Sequence, residues 1–244
     1  MSNLRYGLKE VANVIFFDVS TNKPVIFFDT LKVSTIENTS ESAEARGGQG
    51  NGKLMSWDFG RTATLTMQDA LLSDTSLSLL AGTTVKNTNV TVVGRETLTV
   101  ASGDVILKET PVASTVTVYE LDKGVMGNEI TAVTVAGSTV SISGATDGDQ
   151  VMVFYSYVSA NKATQVTFSA DKFPATYRVV GDTVVRGEDG VDRVMQFVIN
   201  KAKLQTNFTL TMEAENVSTF DFTLDVLVDT STPEKTLYDI IRVN

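Results

Sequence analysis

Carboxylates in two turn-like segments are the side chains in this sequence with the clearest capacity for chemistry. Glu188, Asp189 and Asp192 lie within GEDGVD, and residues 147–149 read Asp-Gly-Asp. Carboxylate oxygens are ligands that Ca²⁺ takes in proteins. Neither segment has the spacing of an EF-hand loop, and an Asp-Gly pair is typical of a hairpin turn. We therefore interpret both segments as turns and expect no metal site.

The absence of cysteine and histidine narrows the chemistry further. Zinc sites built from these residues, serine or cysteine triads with a histidine base, and haem ligation by histidine are all excluded. Paired carboxylates that hydrolyse glycosides need a cleft and two placed acids, and the sequence alone nominates no such pair. We expect a protein that is not an enzyme, with no catalytic residue and no cofactor.

Net charge and apolar content further limit the classes of protein to which this chain can belong. The formal net charge is −9, so the chain as a whole repels the phosphates of nucleic acid. Hydrophobic residues make up 42% of the chain, which is enough for a core. The longest apolar runs, VIFF and VMVF, are far too short to span a membrane, and we expect no membrane partner.

The stretch from Leu31 to Gly82 is the part around which the rest of the chain is organised. Its pattern predicts a strand over LKVSTI, a polar loop over ENTSESAEARGGQGNGK, a longer strand from Leu54, and a helix that begins near Ser73 and ends at Gly82. The longer strand alternates between two faces, as a half-buried antiparallel strand does. The expected apolar face carries Met55, Trp57, Phe59, Ala63, Leu65 and Met67, and the expected polar face carries Ser56, Asp58, Thr62, Thr64 and Thr66.

The polar loop contains four glycines and no apolar residue larger than alanine, so it cannot bury itself. Long loops inside compact domains are usually functional or disordered. We expect this loop to become ordered against a neighbouring copy of the chain, with its acidic side chains pairing with Arg46, Lys53 and Arg61 between subunits. The alternative is a solvated loop. The expected contact residues are Glu37, Glu41, Glu44, Arg46, Gly47, Gly48, Gly50, Gly52 and Lys53.

The texture of the sequence changes between residues 83 and 160, where short strands rich in Thr, Val and Ser alternate with turn signals. We interpret residues 83–160 as an inserted β-sandwich-like lobe in a main domain made of residues 1–82 and 161–244. The C-terminal part of the main domain contains two alternating strands, over residues 208–214 and 220–228, and a last strand is expected within TLYDIIRV. The expected fold class is mainly β, with two packed antiparallel sheets in a sandwich or barrel-like arrangement, one short helix and the inserted lobe.

This order of elements resembles the bacteriophage major tail proteins, the tail-tube family. The resemblance rests on the long hairpin with its polar loop, on WDFGRTATLTMQDALLS and SLLAG, and on the terminal segments TLTMEAE and STFDFTLDVLVD. It covers about residues 11–82 and 162–230, and the lobe lies outside the minimal family pattern. The resemblance implies a virion structural protein that self-assembles into stacked hexameric rings, the tail tube through which the genome leaves.

The resemblance also implies a location and a set of partners. The protein would be assembled in the host cytoplasm and reside in the virion tail, with other copies, a tape-measure protein and, in a contractile tail, a sheath as partners. Double-stranded DNA would pass through transiently, without specific binding.

Polar strand faces that lined such a channel would let a polyanion slide, because hydroxyl and acidic groups do not hold phosphate. Lys201 and Lys203 oppose this interpretation if they share the face. The alternative is an ordinary solvated sheet face. The expected lumen-facing residues are Asp58, Thr62, Thr64, Thr66, Thr209, Thr211, Glu213, Asp221, Thr223 and Asp225.

A rival interpretation comes from another class of protein, a β-sandwich surface protein that decorates a virion or binds a host. The Thr-, Val- and Ser-rich lobe favours it. The long hairpin loop and the lack of an aromatic-rich pocket signal disfavour it.

Overall fold

A computed structural model describes residues 5–212, 214, 219–231 and 233–243. These residues form sixteen strands and one helix, and the predicted mainly β fold class is confirmed. In chain order the elements are β1 (Tyr6–Leu8), β2 (Asn13–Asp18), β3 (Pro24–Phe28), β4 (Leu31–Gly47), β5 (Gly52–Asp69), α1 (Asp74–Ala81), β6 (Val90–Thr99), β7 (Asp104–Ile106), β8 (Thr117–Asp122), β9 (Val125–Ile130), β10 (Val133–Ala136), β11 (Thr139–Ile142), β12 (Gln150–Ser159), β13 (Thr176–Gly187), β14 (Asp192–Leu204), β15 (Phe220–Val226) and β16 (Asp239–Arg242).

Two compact units make up the chain. The main unit comprises Met1–Thr84 and Val166–Asn244, and the inserted unit comprises Val85–Gln165. The main unit is built on one nine-stranded sheet in the order β3-β2-β13-β14-β15-β5-β4, with β1 added beside β13 and β16 beside β14. All of its strand pairs are antiparallel.

The nine-stranded sheet folds over on itself to enclose the main core. Phe28 of β3 and Phe222 of β15 have ring centroids only 5.1 Å apart, although three strands separate β3 from β15 in the sheet. In a flat sheet four strand spacings would put them about 19 Å apart. The curled sheet therefore works as a sandwich, with Phe16, Leu65 and Met67 among its fully buried side chains.

Helix α1 follows the predicted boundaries because its ends are set by local chemistry. The backbone N–H of Ser76 donates to the hydroxyl of Ser73, and the hydroxyl of Ser76 accepts from the backbone N–H of Ser73. Gly82 ends the helix in the left-handed conformation, with φ of 62°. In the part of the chain that the structure describes, no helix is long and apolar enough to cross a membrane.

The C-terminal part of the main unit differs from the prediction. Residues 208–212 of the first predicted strand have no strand conformation, and Glu213 lies outside the described residues. The segment has no place beside β14, because β14 already pairs with β15 at Ala202–Leu204 and with β16 at Met195–Val198. The second predicted strand is present as β15.

The inserted unit is a small sandwich with its own core. A four-stranded sheet, β6-β12-β8-β9, and a three-stranded sheet, β10-β11-β7, both contribute to one buried cluster that includes Val118, Val140 and Val153. The buried hydroxyl of Tyr155 donates to the carboxylate of Glu96 at 2.5 Å. Burial and this hydrogen bond raise the pKa of Tyr155 to about 12.

Replacement of Gly82 by alanine should destabilise the main unit. An added Cβ would overlap the backbone carbonyl of Phe173, and the left-handed conformation disfavours a side chain. We expect a loss of about 2 kcal/mol or more in the free energy of unfolding, measured by urea denaturation. Gly7→Ala is the control, since open space surrounds Gly7 and the change should stay within about 0.5 kcal/mol. Equal stability of the two variants would contradict this account.

Candidate assembly and lumen surfaces

The segment predicted to be a polar loop, residues 37–53, is mostly the second half of strand β4, which forms a two-stranded ribbon with the predicted longer strand, β5. β4 and β5 pair along almost their whole length, and β15 pairs with β5 only from Ala63 to Asp69. Residues 39–62 therefore project from the sheet as a ribbon about 30 Å long. The loop prediction was wrong because it required an apolar face in residues 37–47, whereas main-chain hydrogen bonds can pair a polar segment with its neighbouring strand. Of the expected contact residues, Glu37, Glu41, Glu44, Arg46 and Gly47 lie on β4, Gly52 and Lys53 on β5, and Gly48 and Gly50 in the turn.

The charges near the ribbon tip are paired within one chain. The Nζ of Lys53 lies 2.6 Å from one oxygen of Glu44, and the Nη2 of Arg46 lies 2.6 Å from the other. These two partners, Lys53 more than Arg46, hold the pKa of Glu44 below its ordinary value. Glu44 thus has two partners within its own chain, and its expected pairing between subunits stays a prediction. Glu41 and Arg61 form no ion pair with any described residue.

A bulge at Gly60 breaks the alternation of β5. Thr39 lies opposite Thr62, but Glu41 lies opposite Phe59, so β5 carries one residue more than β4 between these pairs. Gly60 has the left-handed φ of 61° that suits such a bulge. One extra residue moves all side chains beyond it to the other face of the strand.

Three large side chains beyond the bulge are consequently exposed. Met55, Trp57 and Phe59 share the face of Thr62 and are 57%, 54% and 51% exposed. We term them the apolar stripe. Their predicted place on the buried face with Ala63 was wrong, because a period of two carries no sign of an inserted residue.

The fluorescence of Trp57 reports this exposure. Trp57 is the sole tryptophan, so the emission of the monomer should lie close to that of the urea-unfolded chain and be quenched efficiently by acrylamide. The variant Trp57→Phe with Phe222→Trp is the control, because position 222 is buried and should give a strongly blue-shifted emission. A blue-shifted Trp57 in the monomer would show that the stripe faces inward.

Six of the expected lumen residues come together on the outward face of the main sheet. Asp225 lies opposite Thr64, Thr223 opposite Thr66, and Asp221 opposite Gln68, on the face away from the buried Leu65 and Met67. Thr62 continues this set along β5 and its hydroxyl lies 2.7 Å from that of Thr39. The set is Thr62, Thr64, Thr66, Asp221, Thr223 and Asp225, and we term it the polar sector.

The other four expected lumen residues are not part of the polar sector. Asp58 lies beyond the bulge, opposite Ser42, and so on the other face. Thr209 and Thr211 lie in the segment without strand conformation, and Glu213 lies outside the described residues. Alternation in sequence predicted one face for all of them, but a bulge and a missing strand separate them in space.

Further polar residues, which the sequence did not assign to the lumen, border the polar sector. Thr35 and Glu37 of β4 lie opposite Thr66 and Thr64. The side chains of Gln68 and Gln205 donate to Asp221 at 3.0 Å and to Asp225 at 2.7 Å. The alternation of Thr35, Glu37 and Thr39 was the available signal for β4.

Lys203 shares the polar sector, since it lies opposite Asp225. The exposed Lys201 lies at the irregular pairing of β13 with β14. The sector is therefore a mixture of hydroxyl, amide and acidic groups with one lysine at its border, rather than a purely acidic strip.

Elsewhere on the outward face of the main sheet, four neighbouring apolar side chains form one row across the strands. Phe27 lies opposite Ile15, Ile15 opposite Val180, and Val180 opposite Val198, so four adjacent strands, β3-β2-β13-β14, contribute one side chain each. We term these four residues the apolar row. Phe27 is 53% exposed and the other three are half-buried.

The acidic segment 188–192 is the turn between β13 and β14, as expected. Gly190 has a left-handed φ of 78°, and its N–H donates to the carbonyl of Gly187. Both carboxylate oxygens of Asp189 accept from Arg193, and both of Asp192 accept from Arg186. The hydrogen bonds from Arg193 lower the pKa of Asp189 to about 2. These pairs use the oxygens that a cation would need.

Replacement of Arg193 by glutamine should raise the pKa of Asp189 from about 2 towards 3.8, the value of an unpaired aspartate. The pKa is lowered in the folded state, so the pair stabilises the fold above pH 4 and its contribution is lost as the pH falls towards 2. Carboxyl NMR titration measures the shift. Arg186→Gln is the matched control and should leave Asp189 unchanged, since Arg186 pairs with Asp192. An unchanged Asp189 in Arg193→Gln would contradict the assignment.

The main unit is therefore an antiparallel β protein with a curled sheet. Its notable surfaces are the projecting ribbon, the polar sector, the apolar row and the free strand edges. A comparison with protein families matches residues 6–241 to the YomU/Tube protein family, and the chain belongs to that family. The predicted relation to bacteriophage tail-tube proteins is confirmed, and the protein is a structural component of a virion tail. A comparison with curated proteins finds no significant match.

Proposed function

We propose that this protein assembles in the host cytoplasm into hexameric rings, which stack into the tail tube that conducts the genome out of the virion. The proposal joins the family membership to one structural observation, the exposed ribbon. Hexameric symmetry and the passage of DNA come from the resemblance to tail-tube proteins. The tape-measure protein and, in a contractile tail, a sheath are the further partners.

The exposed ribbon is the structural feature that best supports self-assembly. No residue from 32 to 62 is buried, and residues 52–62 of β5 pair only with β4. An isolated two-stranded ribbon is marginally stable in water. An exposed apolar stripe adds a further penalty, because each aromatic side chain gains about 1.5–3 kcal/mol on full burial. Contact with a neighbouring copy relieves both penalties.

The two edges of the main sheet support closure into a ring. β3 and β4 each have one free edge among the described residues, and β4 is seventeen residues long. Free edges present unpaired N–H and C=O groups that invite pairing with another chain. A head-to-tail contact repeated around an axis closes a ring, which leaves no edge of this kind open.

The polar sector is the part of the sheet best suited to line the bore. Its threonines offer neutral hydroxyl groups, and its aspartates, together with the adjacent Glu37, repel phosphate. Lys203 lies opposite Asp225, so an acidic side chain stands beside the one lysine at the border of the sector. The net charge of −9 acts in the same direction over the whole chain. DNA would therefore pass without specific binding.

Shortening the ribbon tests the assembly function. Residues 43–57 are replaced by Asn-Gly, which joins Ser42 to Asp58, two residues that lie opposite each other, through a favoured two-residue turn. The variant should keep the circular dichroism and melting temperature of the monomer, since no buried residue is removed. It should form no rings or tubes in negative-stain microscopy at concentrations where the unmodified chain does.

Two outcomes of this experiment would overturn the proposal. Single globular particles of the unmodified chain at every concentration and salt would favour the surface-protein interpretation. Normal tubes from the shortened variant would show that the ribbon is not needed. A reconstruction of the tube also tests the bore, which should be lined by Thr64, Thr66 and Thr223.

A further inference from the structure

Two exposed apolar surfaces of the main unit match each other in length. The apolar stripe runs from Met55 to Phe59 along one strand, about 13 Å at the usual rise per residue. The apolar row runs across four strands from Phe27 to Val198, about 14 Å at the usual strand spacing. A ribbon laid across the row would cross its strands at a steep angle, as in orthogonal packing of sheets.

The two surfaces cannot meet within one chain. Both lie on the outward face of the same sheet, because the bulge at Gly60 puts the stripe on the face of Thr62. The sheet curls towards its core, so this face is convex. A ribbon that continues β5 away from the sheet cannot bend back onto a convex face two strands away without losing its main-chain pairing.

One pair of charges beside the two surfaces is complementary, although the row also has two carboxylates beside it: Asp182 follows Val180 on the same face, and Asp239 lies opposite Val198. On the ribbon, Glu41 lies directly opposite Phe59 and has no ion-pair partner among the described residues. Beside the row, Arg178 lies next to Val180 on the same face, with its guanidinium 5.6 Å from the ring centroid of Phe17. Arg178 donates to the side chain of Asn22 but forms no ion pair within the described part of the chain.

We propose that the apolar stripe of one copy docks on the apolar row of a second copy, with Glu41 of the first facing Arg178 of the second. The inference rests on the proposed self-assembly and names the receiving surface. The contact joins two different patches, so it propagates from copy to copy rather than ending in a dimer. Trp57 lies at the middle of the stripe and, as the largest of its three side chains, supplies the largest single share of its apolar area.

Charge reversal tests the contact. Glu41→Arg and Arg178→Glu should each raise the protein concentration needed for assembly by about tenfold or more, because like charges then face each other. The double variant, which carries both changes in every chain, should return to within about threefold of the unmodified protein. Asp58→Arg is the matched control, since it makes the same change of net charge on the opposite face of the ribbon and should assemble normally.

Cross-linking gives a second readout, because the natural chain has no cysteine. A mixture of Glu41→Cys and Arg178→Cys chains should form a disulfide-linked dimer on mild oxidation under assembly conditions. A mixture of Asp58→Cys and Arg178→Cys chains should not. Circular dichroism of each variant checks that the monomer is folded.

The outcomes separate this inference from the assembly proposal. Failure of the unmodified protein to assemble would overturn both. If it assembles while Glu41→Arg and Arg178→Glu behave like Asp58→Arg, and neither mixture cross-links, only the docking assignment is overturned.

Discussion

The two-stranded ribbon of β4 and β5 forms main-chain hydrogen bonds between its strands, but it cannot bury its own side chains. The exposed surfaces of the main unit follow from this constraint. Pairing of β4 with β5 accounts for the N–H and C=O groups between the strands of residues 39–62. The ribbon has no third strand and no core, and Trp57 remains 54% exposed. The fold of one chain therefore leaves apolar area and strand edges in water. This is the physical basis for relating a single chain to an assembly of many.

The bulge at Gly60 decides where that apolar area points. Without the extra residue the stripe would continue the buried face of Ala63 and Leu65. With it, the same side chains lie on the outward face, where the core of their own chain cannot cover them. A bulge at a single glycine in the left-handed conformation thus turns the side chains of the outer part of β5 away from the core that its inner part serves.

The outward face of one sheet carries two chemistries in separate places. The polar sector occupies β15 and the neighbouring parts of β4 and β5, and the apolar row crosses β3, β2, β13 and β14. The contact of Phe28 with Phe222 shows that the sheet is curled. The two regions therefore face in different directions. One continuous sheet therefore presents a polar surface and an apolar surface in separate places on its outward face.

The sequence by itself determined the features that depend on near neighbours. Period-two alternation identified β5 and β15, Ser73 and Gly82 marked the ends of α1, and the order of these elements was enough to indicate the tail-tube family. Only the tertiary structure decided the features that depend on register and on partners far along the chain. It placed a bulge at Gly60, paired Glu44 with Lys53, left residues 208–212 without a strand, and brought Lys203 opposite Asp225. The reason is physical: caps and alternation arise from contacts within a few residues, whereas register is selected by the pairing of whole strands, and one inserted residue reverses every side chain beyond it.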